Sequence, residues 1–193
     1  MLSALANTDT PSHFPYDPFL KRFSLLDLPG TAQQAVICQF DVNHYRPALF
    51  ELLDIAMPAK LAGAKDSRCA DYLAGRCAAR QALAMAGADE VAPLRGASGE
   101  VLWPPGLQGA ISHHGDHALC VVSREGFPGI DLERVMRPEV CCEVAGLVGH
   151  LSERRLLRES GMPEAEAISI LFSAKESLYK ALFPALRHYV DFL

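Results

Sequence analysis

The sequence predicts a fold in which helices pack on antiparallel strands, an α+β arrangement, and three stretches carry that expectation. Ser67 to Ala86 is rich in alanine and leucine, lacks proline and closes at Gly87, which is the composition of a helix about five turns long. Gln108 to Ser123 sets Gly115 between two runs and reads as a β-hairpin. Its second arm, Ala118-Leu119-Cys120-Val121-Val122, is apolar enough to be central. Glu164 to Leu186, after the break at Gly161-Met162-Pro163, makes a second long helix.

The remaining elements follow in order. Pro11, Pro15 and Pro18, interleaved with Phe14, Tyr16 and Phe19, predict an extended segment lying on the surface of the fold. Ala35 to Val42 reads as a strand and Arg46 to Ile55 as a short helix that Pro58 ends. Residues 87 to 109 form a Gly- and Pro-rich loop, whose backbone N–H groups could approach an anion. In Gly129-Ile130-Asp131-Leu132-Glu133, alternation predicts a strand that turns both carboxylates to one face. Cys141 to His150 and Ser152 to Ser160 are two short helices, with Ser152 the expected N-cap of the second.

Composition narrows the function classes. A chain of 193 residues, half of them apolar, can bury a substantial core. A net charge of -5 with no long basic stretch argues against general nucleic-acid binding. No basic residue precedes a long apolar run near Met1, and no segment is apolar enough for a membrane span, so neither a signal peptide nor a transmembrane helix is expected. The six cysteines lack the spacing of a disulfide framework, which fits a reduced cytoplasm; the neighbours Cys141 and Cys142 invite a redox reading that ordinary burial outweighs.

Two clusters suggest chemistry. Ser173, Glu176 and Lys180 line one side of the last helix, and only five lysines occur in the chain, two of them within Phe172 to Ala181. With Asp131 and Glu133 side by side, Glu176 would complete an oxygen-rich site for a hard cation such as Mg2+. The plainer alternative is a capping box at Ser173 and Glu176, an i,i+4 ion pair at Glu176 and Lys180, and a solvated strand face. Arg68 and Arg76, eight residues apart, lie about 12 Å apart along a helix and within about 80° in azimuth, so they could hold two phosphates of one long ligand or simply be solvated. His113, His114 and His117 would diverge on a strand and turn, which disfavours zinc.

Three blocks together, Ala110-Ile111-Ser112-His113, Gly129 to Glu133 and Phe172-Ser173-Ala174-Lys175-Glu176-Ser177-Leu178-Tyr179-Lys180-Ala181, resemble the 4'-phosphopantetheinyl transferases, specifically the enterobactin synthetase component D-like branch. The resemblance runs from about Arg68 to about Tyr189. It implies two similar α+β halves, 1–125 and 126–193, with the ligand cleft between them, the second half stopping where a closing strand should begin near Val190. It also implies transfer of 4'-phosphopantetheine from coenzyme A to a serine of an acyl or peptidyl carrier protein, releasing adenosine 3',5'-bisphosphate. Metal-ligand roles then fall to Asp131, Glu133 and Glu176, and catalytic roles to Glu176 and Lys180. Coenzyme A contacts fall to Arg68, Arg76, Ser98, Gly99, Glu100, Val101, Ser112, His113, Asp131, Lys175 and Lys180. Members often carry a basic residue where this chain has Ser98 or Gly99 and a proline at Val101; Arg95 is the available substitute. Arg134, Arg137, Arg154, Arg155 and Arg158 are either a basic docking patch for an acidic carrier protein or an ordinary charged helix face. A cytoplasmic monomer is expected. A non-catalytic coenzyme A or carrier-protein binding module is the alternative, and a metal-dependent phosphohydrolase a third reading.

Overall fold

Small side chains let the first part of this chain close. The computed structural model describes the backbone of residues 6–9 together with residues 17–88, 91–97 and 99–186. It divides into two compact units, Met1–Pro128 and Gly129–Leu193.

The first unit is built on a five-stranded antiparallel sheet in the order β1-β2-β3-β7-β6. Its strands are β1 (Ala6–Asp9), β2 (Leu20–Asp27), β3 (Gln34–Phe40), β6 (Gln108–His114) and β7 (His117–Ser123). A short helix α1 (Leu49–Leu52) follows β3, and the twenty-residue helix α2 (Asp66–Met85) packs on β3, β7 and β6. Cys69, Ala70, Leu73, Ala74, Cys77 and Ala78 are all buried on α2. Alanine and glycine there keep the helix close to the sheet: a Cβ on Gly75 would come within 3.0 Å of Ile111 Cγ2. Full burial of Leu73 alone contributes roughly 2 kcal/mol of hydrophobic stabilisation. A separate two-stranded hairpin, β4 (Leu94–Arg95) with β5 (Val101–Leu102), organises part of the Gly-rich loop.

Several expectations change here. Phe19 is not a surface residue: it is fully buried, its ring 5.6 Å from that of Phe40 and 6.2 Å from Tyr45, and it leads directly into β2. Asp17 fixes that entry, since its Oδ1 accepts from Phe19 N at 2.8 Å and its Oδ2 accepts from Arg46 Nη2 at 2.7 Å. Pro11, Phe14, Pro15 and Tyr16 lie outside the described residues. The helix expected over 46–55 contracts to α1 because Asp54, at φ 51, turns the chain out of helical geometry. The hairpin matches its expectation, with Gly115 at φ 62 in a two-residue turn that needs a positive angle.

The second unit contains helices α3 (Pro138–Val148), α4 (Leu151–Glu159) and α5 (Glu164–Leu186). Cys141, Ala145, Val148 and Ile168 form its small core, with Leu171 and Phe172 packed against it. Pro138 opens α3, where its missing N–H costs nothing. The cap of α4 is His150 rather than Ser152: the imidazole Nδ1 accepts from Ser152 N, and Glu153 Oε2 accepts from His150 N at 2.8 Å. Residues 129–133 are not a strand. They have the alternating pattern but no ladder partner among the described residues, and a strand is stable only when paired. Ser173 sits in the interior of α5, so the capping-box reading of Ser173 and Glu176 does not apply. Leu178 and Leu182, placed at helical spacing with Leu171, are exposed. Residues 190–193, where the closing strand was expected, lie outside the described residues.

Candidate active site

In the first unit one group of ligand candidates lies at the N-terminal end of α2. Arg68 is exposed and its Nη1 lies 3.1 Å from His113 Nε2 on β6. The other ring nitrogen, Nδ1, is 3.7 Å from Asp71 Oδ2. Ser112, next to His113, is buried. Arg76, two turns further along α2, has a different environment: it is only 4% exposed, its Nε donates to Tyr72 Oη at 3.2 Å, and its guanidinium lies over the Tyr72 ring at 4.6 Å. Burial pulls its pKa below the ordinary arginine value, Tyr72 opposes that shift, and the charge of Arg95 adds to it. A guanidinium desolvated in this way, with a second one acting on its charge, makes a position that gains from an anion.

Arg95 belongs to the tight loop that joins β4 to β5. Gly96 N donates to Glu100 O at 2.8 Å and Gly99 N to Gly96 O at 3.0 Å. The Arg95 side chain lies across Gly99, at φ 98, and the Glu100 carboxyl lies across Gly96, so a Cβ at either glycine would collide with it. Val101 is in β5, and Ser98 lies outside the described residues. A cavity of about 150 Å³ opens beside this loop, lined by Ile55, Pro58, Tyr72, Leu94 and Arg95 among others.

In the second unit the acidic cluster forms around α5. Asp131, whose side chain is 4% exposed, is bonded through Oδ1 to Lys180 Nζ at 2.5 Å. The approach of residues 129–133 to α5 depends on Gly129, because a Cβ there would lie 1.9 Å from Ser177 O. Glu176, one turn before Lys180, has its pKa raised above the usual carboxylate value. Burial is the main cause, Lys180 opposes it, and the charges of Asp131 and Glu133 add to it. Glu176 therefore senses both other acids. Lys175 points away from them and donates to Glu153 Oε2 at 2.8 Å, which holds the Glu153 carboxyl below its usual range.

Among the described residues, no three His, Cys, Asp or Glu side chains are gathered into a ready-made metal cage. In this arrangement Lys180 neutralises Asp131. The donor chemistry nevertheless suits a hard cation: the three acids offer only oxygen, and the charges of Asp131 and Glu133 bear on Glu176. His113, His114 and His117 lie on β6 and β7, with His113 directed to Arg68 and Asp71 and His117 to Asp116.

Sequence reasoning missed Asp71, Tyr72 and Glu153. Asp71 was readable as the residue one turn after Arg68 on the same helix face. Glu153 was readable as the third residue after a capping position, although the cap proved to be a histidine. Tyr72 was readable as the residue one turn before Arg76 on the same helix face.

Residues 57–123 match the family model for the 4'-phosphopantetheinyl transferase N-terminal domain, and residues 128–193 match that for the 4'-phosphopantetheinyl transferase superfamily. Enterobactin synthase component D of Salmonella typhimurium is 38% identical over 170 residues, covering 88% of this chain and 66% of that protein. Its counterpart in Escherichia coli strain K12 is 36% identical over 157 residues, covering 80% and 73%. The 4'-phosphopantetheinyl transferase PptT of Mycobacterium tuberculosis is 30% identical over 126 residues, covering 63% and 54%. The chain belongs to the 4'-phosphopantetheinyl transferase family. Within it, the chain falls in the enterobactin synthase component D-like branch, and it spans 66% of the length of the Salmonella relative.

Proposed function

We propose that this protein transfers the 4'-phosphopantetheine group of coenzyme A to a serine hydroxyl of an acyl or peptidyl carrier protein, in siderophore or related nonribosomal peptide or polyketide synthesis. The observation that carries this reading is Glu176, a partly buried carboxylate with a raised pKa, one turn before Lys180 on α5, where Lys180 holds the buried Asp131 of the preceding segment. Family membership supports it.

The serine oxygen attacks the phosphorus that bears the pantetheine arm, and the bond from that phosphorus to the adenosine bisphosphate oxygen breaks. Glu176 takes the hydroxyl proton on its carboxylate, directly or through water; a raised pKa suits a base that works near neutrality. Lys180 offsets charge on the departing phosphate. Arg68, Arg76, Ser112 and His113 hold phosphates of coenzyme A, with Arg95 supplying the charge that Ser98 and Gly99 do not. Lys175 reaches the phosphates by exchanging Glu153 for them. Asp131, Glu133 and Glu176 are the residues that would hold Mg2+, which when bound supplies charge neutralisation at the pyrophosphate.

The test is mass spectrometry of an apo carrier protein incubated with coenzyme A, Mg2+ and this protein. A gain of one phosphopantetheine mass supports the reading. A Glu176→Gln variant that modifies the carrier at the wild-type rate defeats the assignment of the base, and tight coenzyme A binding with no transfer favours a binding module instead.

A further inference from the structure

Asp71 has no assigned part in the reading above, yet it faces the histidine on which that reading depends. Arg68 and Asp71 are three residues apart on α2 and share a face. From there they reach opposite nitrogens of the His113 ring, Arg68 at Nε2 and Asp71 at Nδ1. A guanidinium can only donate, so Nε2 presents its lone pair to Arg68 and the ring proton sits on Nδ1, toward the Asp71 carboxylate. The His113 side chain is 34% exposed and so within reach of a ligand.

Other ionisable groups towards this end of the unit include Lys65 and Asp66 at the start of α2, Tyr45, and His114, Asp116 and His117 on the hairpin and its turn. Asp116 is engaged by His117 Nδ1 at 2.7 Å and by Gln39 Nε2 at 3.1 Å, whereas Asp71 Oδ2 lies 3.7 Å from His113 Nδ1.

Phosphate oxygens are acceptors. A phosphate that draws the Arg68 donors to itself would meet the Nε2 lone pair of His113, and the contact becomes attractive only once that nitrogen carries a proton. We propose that Asp71 is the positioning residue for this exchange: its carboxylate balances an imidazolium, so that binding of a phosphate-bearing ligand at Arg68 and His113 takes up one proton from solvent at Nε2. This rests on the reading of Arg68 and His113 as contacts for coenzyme A. Affinity then falls as pH rises, because the proton becomes harder to recruit. Removing the carboxylate moves that fall to lower pH.

Calorimetric titration of the full chain with coenzyme A, in two buffers of different ionisation heat near pH 7.5, counts the protons taken up. The wild type should take up close to one. Asp71→Asn should take up far less, with the fall in affinity displaced downward by about one pH unit, and Asp71→Glu should restore both. Absence of uptake in the wild type, or an Asp71→Asn profile merely weakened equally at every pH, overturns the proposal. An NMR titration of the His113 ring without ligand gives an independent reading: its midpoint should drop in Asp71→Asn, and an unchanged midpoint also overturns it. Failure of the wild type to bind coenzyme A at all defeats the functional reading itself, which distinguishes the two.

Discussion

Gly129→Ala adds one methyl group and should dismantle the acidic cluster. The added Cβ would lie 1.9 Å from Ser177 O and 2.8 Å from Ser177 C, whereas real Cβ atoms essentially never come within 3.0 Å of such neighbours. The obstruction is backbone in the middle of α5, so no side chain can swing aside. Residues 129–133 must therefore retreat by about 1 Å, enough to forfeit much of the contact energy along that segment. Gly129 is not among the glycines with positive φ, so the clash alone sets the penalty. Overpacking of this kind costs about 1–3 kcal/mol, and an immovable neighbour places it near the top of that range. For a chain of this length that corresponds to a fall in melting temperature of about 6–12 °C. The same retreat stretches the 2.5 Å bond between Asp131 and Lys180. Thermal melting followed by circular dichroism, with a carrier-modification assay alongside, measures both effects. A variant that melts within about 1 °C of wild type and keeps its activity refutes the close approach and the geometry built on it.

Other substitutions separate structural from chemical roles. Lys180→Met leaves the buried Asp131 carboxylate without its ammonium and should cost about 3 kcal/mol in denaturant titrations; added Mg2+ should recover part of the loss, and an equal loss with and without Mg2+ would count against the metal reading. For Glu176 the raised folded-state pKa means that stability is fullest at low pH and declines as pH rises from the ordinary carboxylate value through the raised one. Glu176→Gln should flatten that decline in metal-free melts, and an unchanged slope would show that the desolvation is unimportant. Arg76→Met removes a desolvated charge while keeping a stem to pack on Tyr72, so stability should change by less than about 1 kcal/mol. Coenzyme A affinity should fall at least about tenfold, as loss of a charge-assisted phosphate contact requires; a large stability loss with unchanged affinity would mark Arg76 as structural.

How much of this was legible follows from how local each signal is. Helices α2 and α5 and the β6–β7 hairpin announce themselves through composition, period and a turn glycine, and each structural boundary falls close to its expectation. Strand β2 escaped notice because Phe23, Ser24 and Leu25 are buried in succession, so no alternation marks it, and prolines precede it. Residues 129–133 mislead in the opposite direction, since alternation describes a side-chain pattern and cannot supply a pairing partner. The candidate residues could be named from the sequence, but their states could not. That Lys175 is engaged by Glu153 and that Asp131 is neutralised by Lys180 depends on neighbours distant in the chain, and the burial of Arg76 depends on the fold around its helix.

The methyl-sized interior of α2 has a further consequence. Ala70, Ala74 and Ala78 are fully buried, and Gly75 leaves no slack against Ile111, so the span from the arginine-bearing helix to the histidine-bearing strand is gauged by the thinnest side chains available. Grip on an anion at that end can thus be detuned from inside the protein. A single bulkier residue in this layer would lift Arg68 off His113 while leaving every ligand-facing group chemically intact.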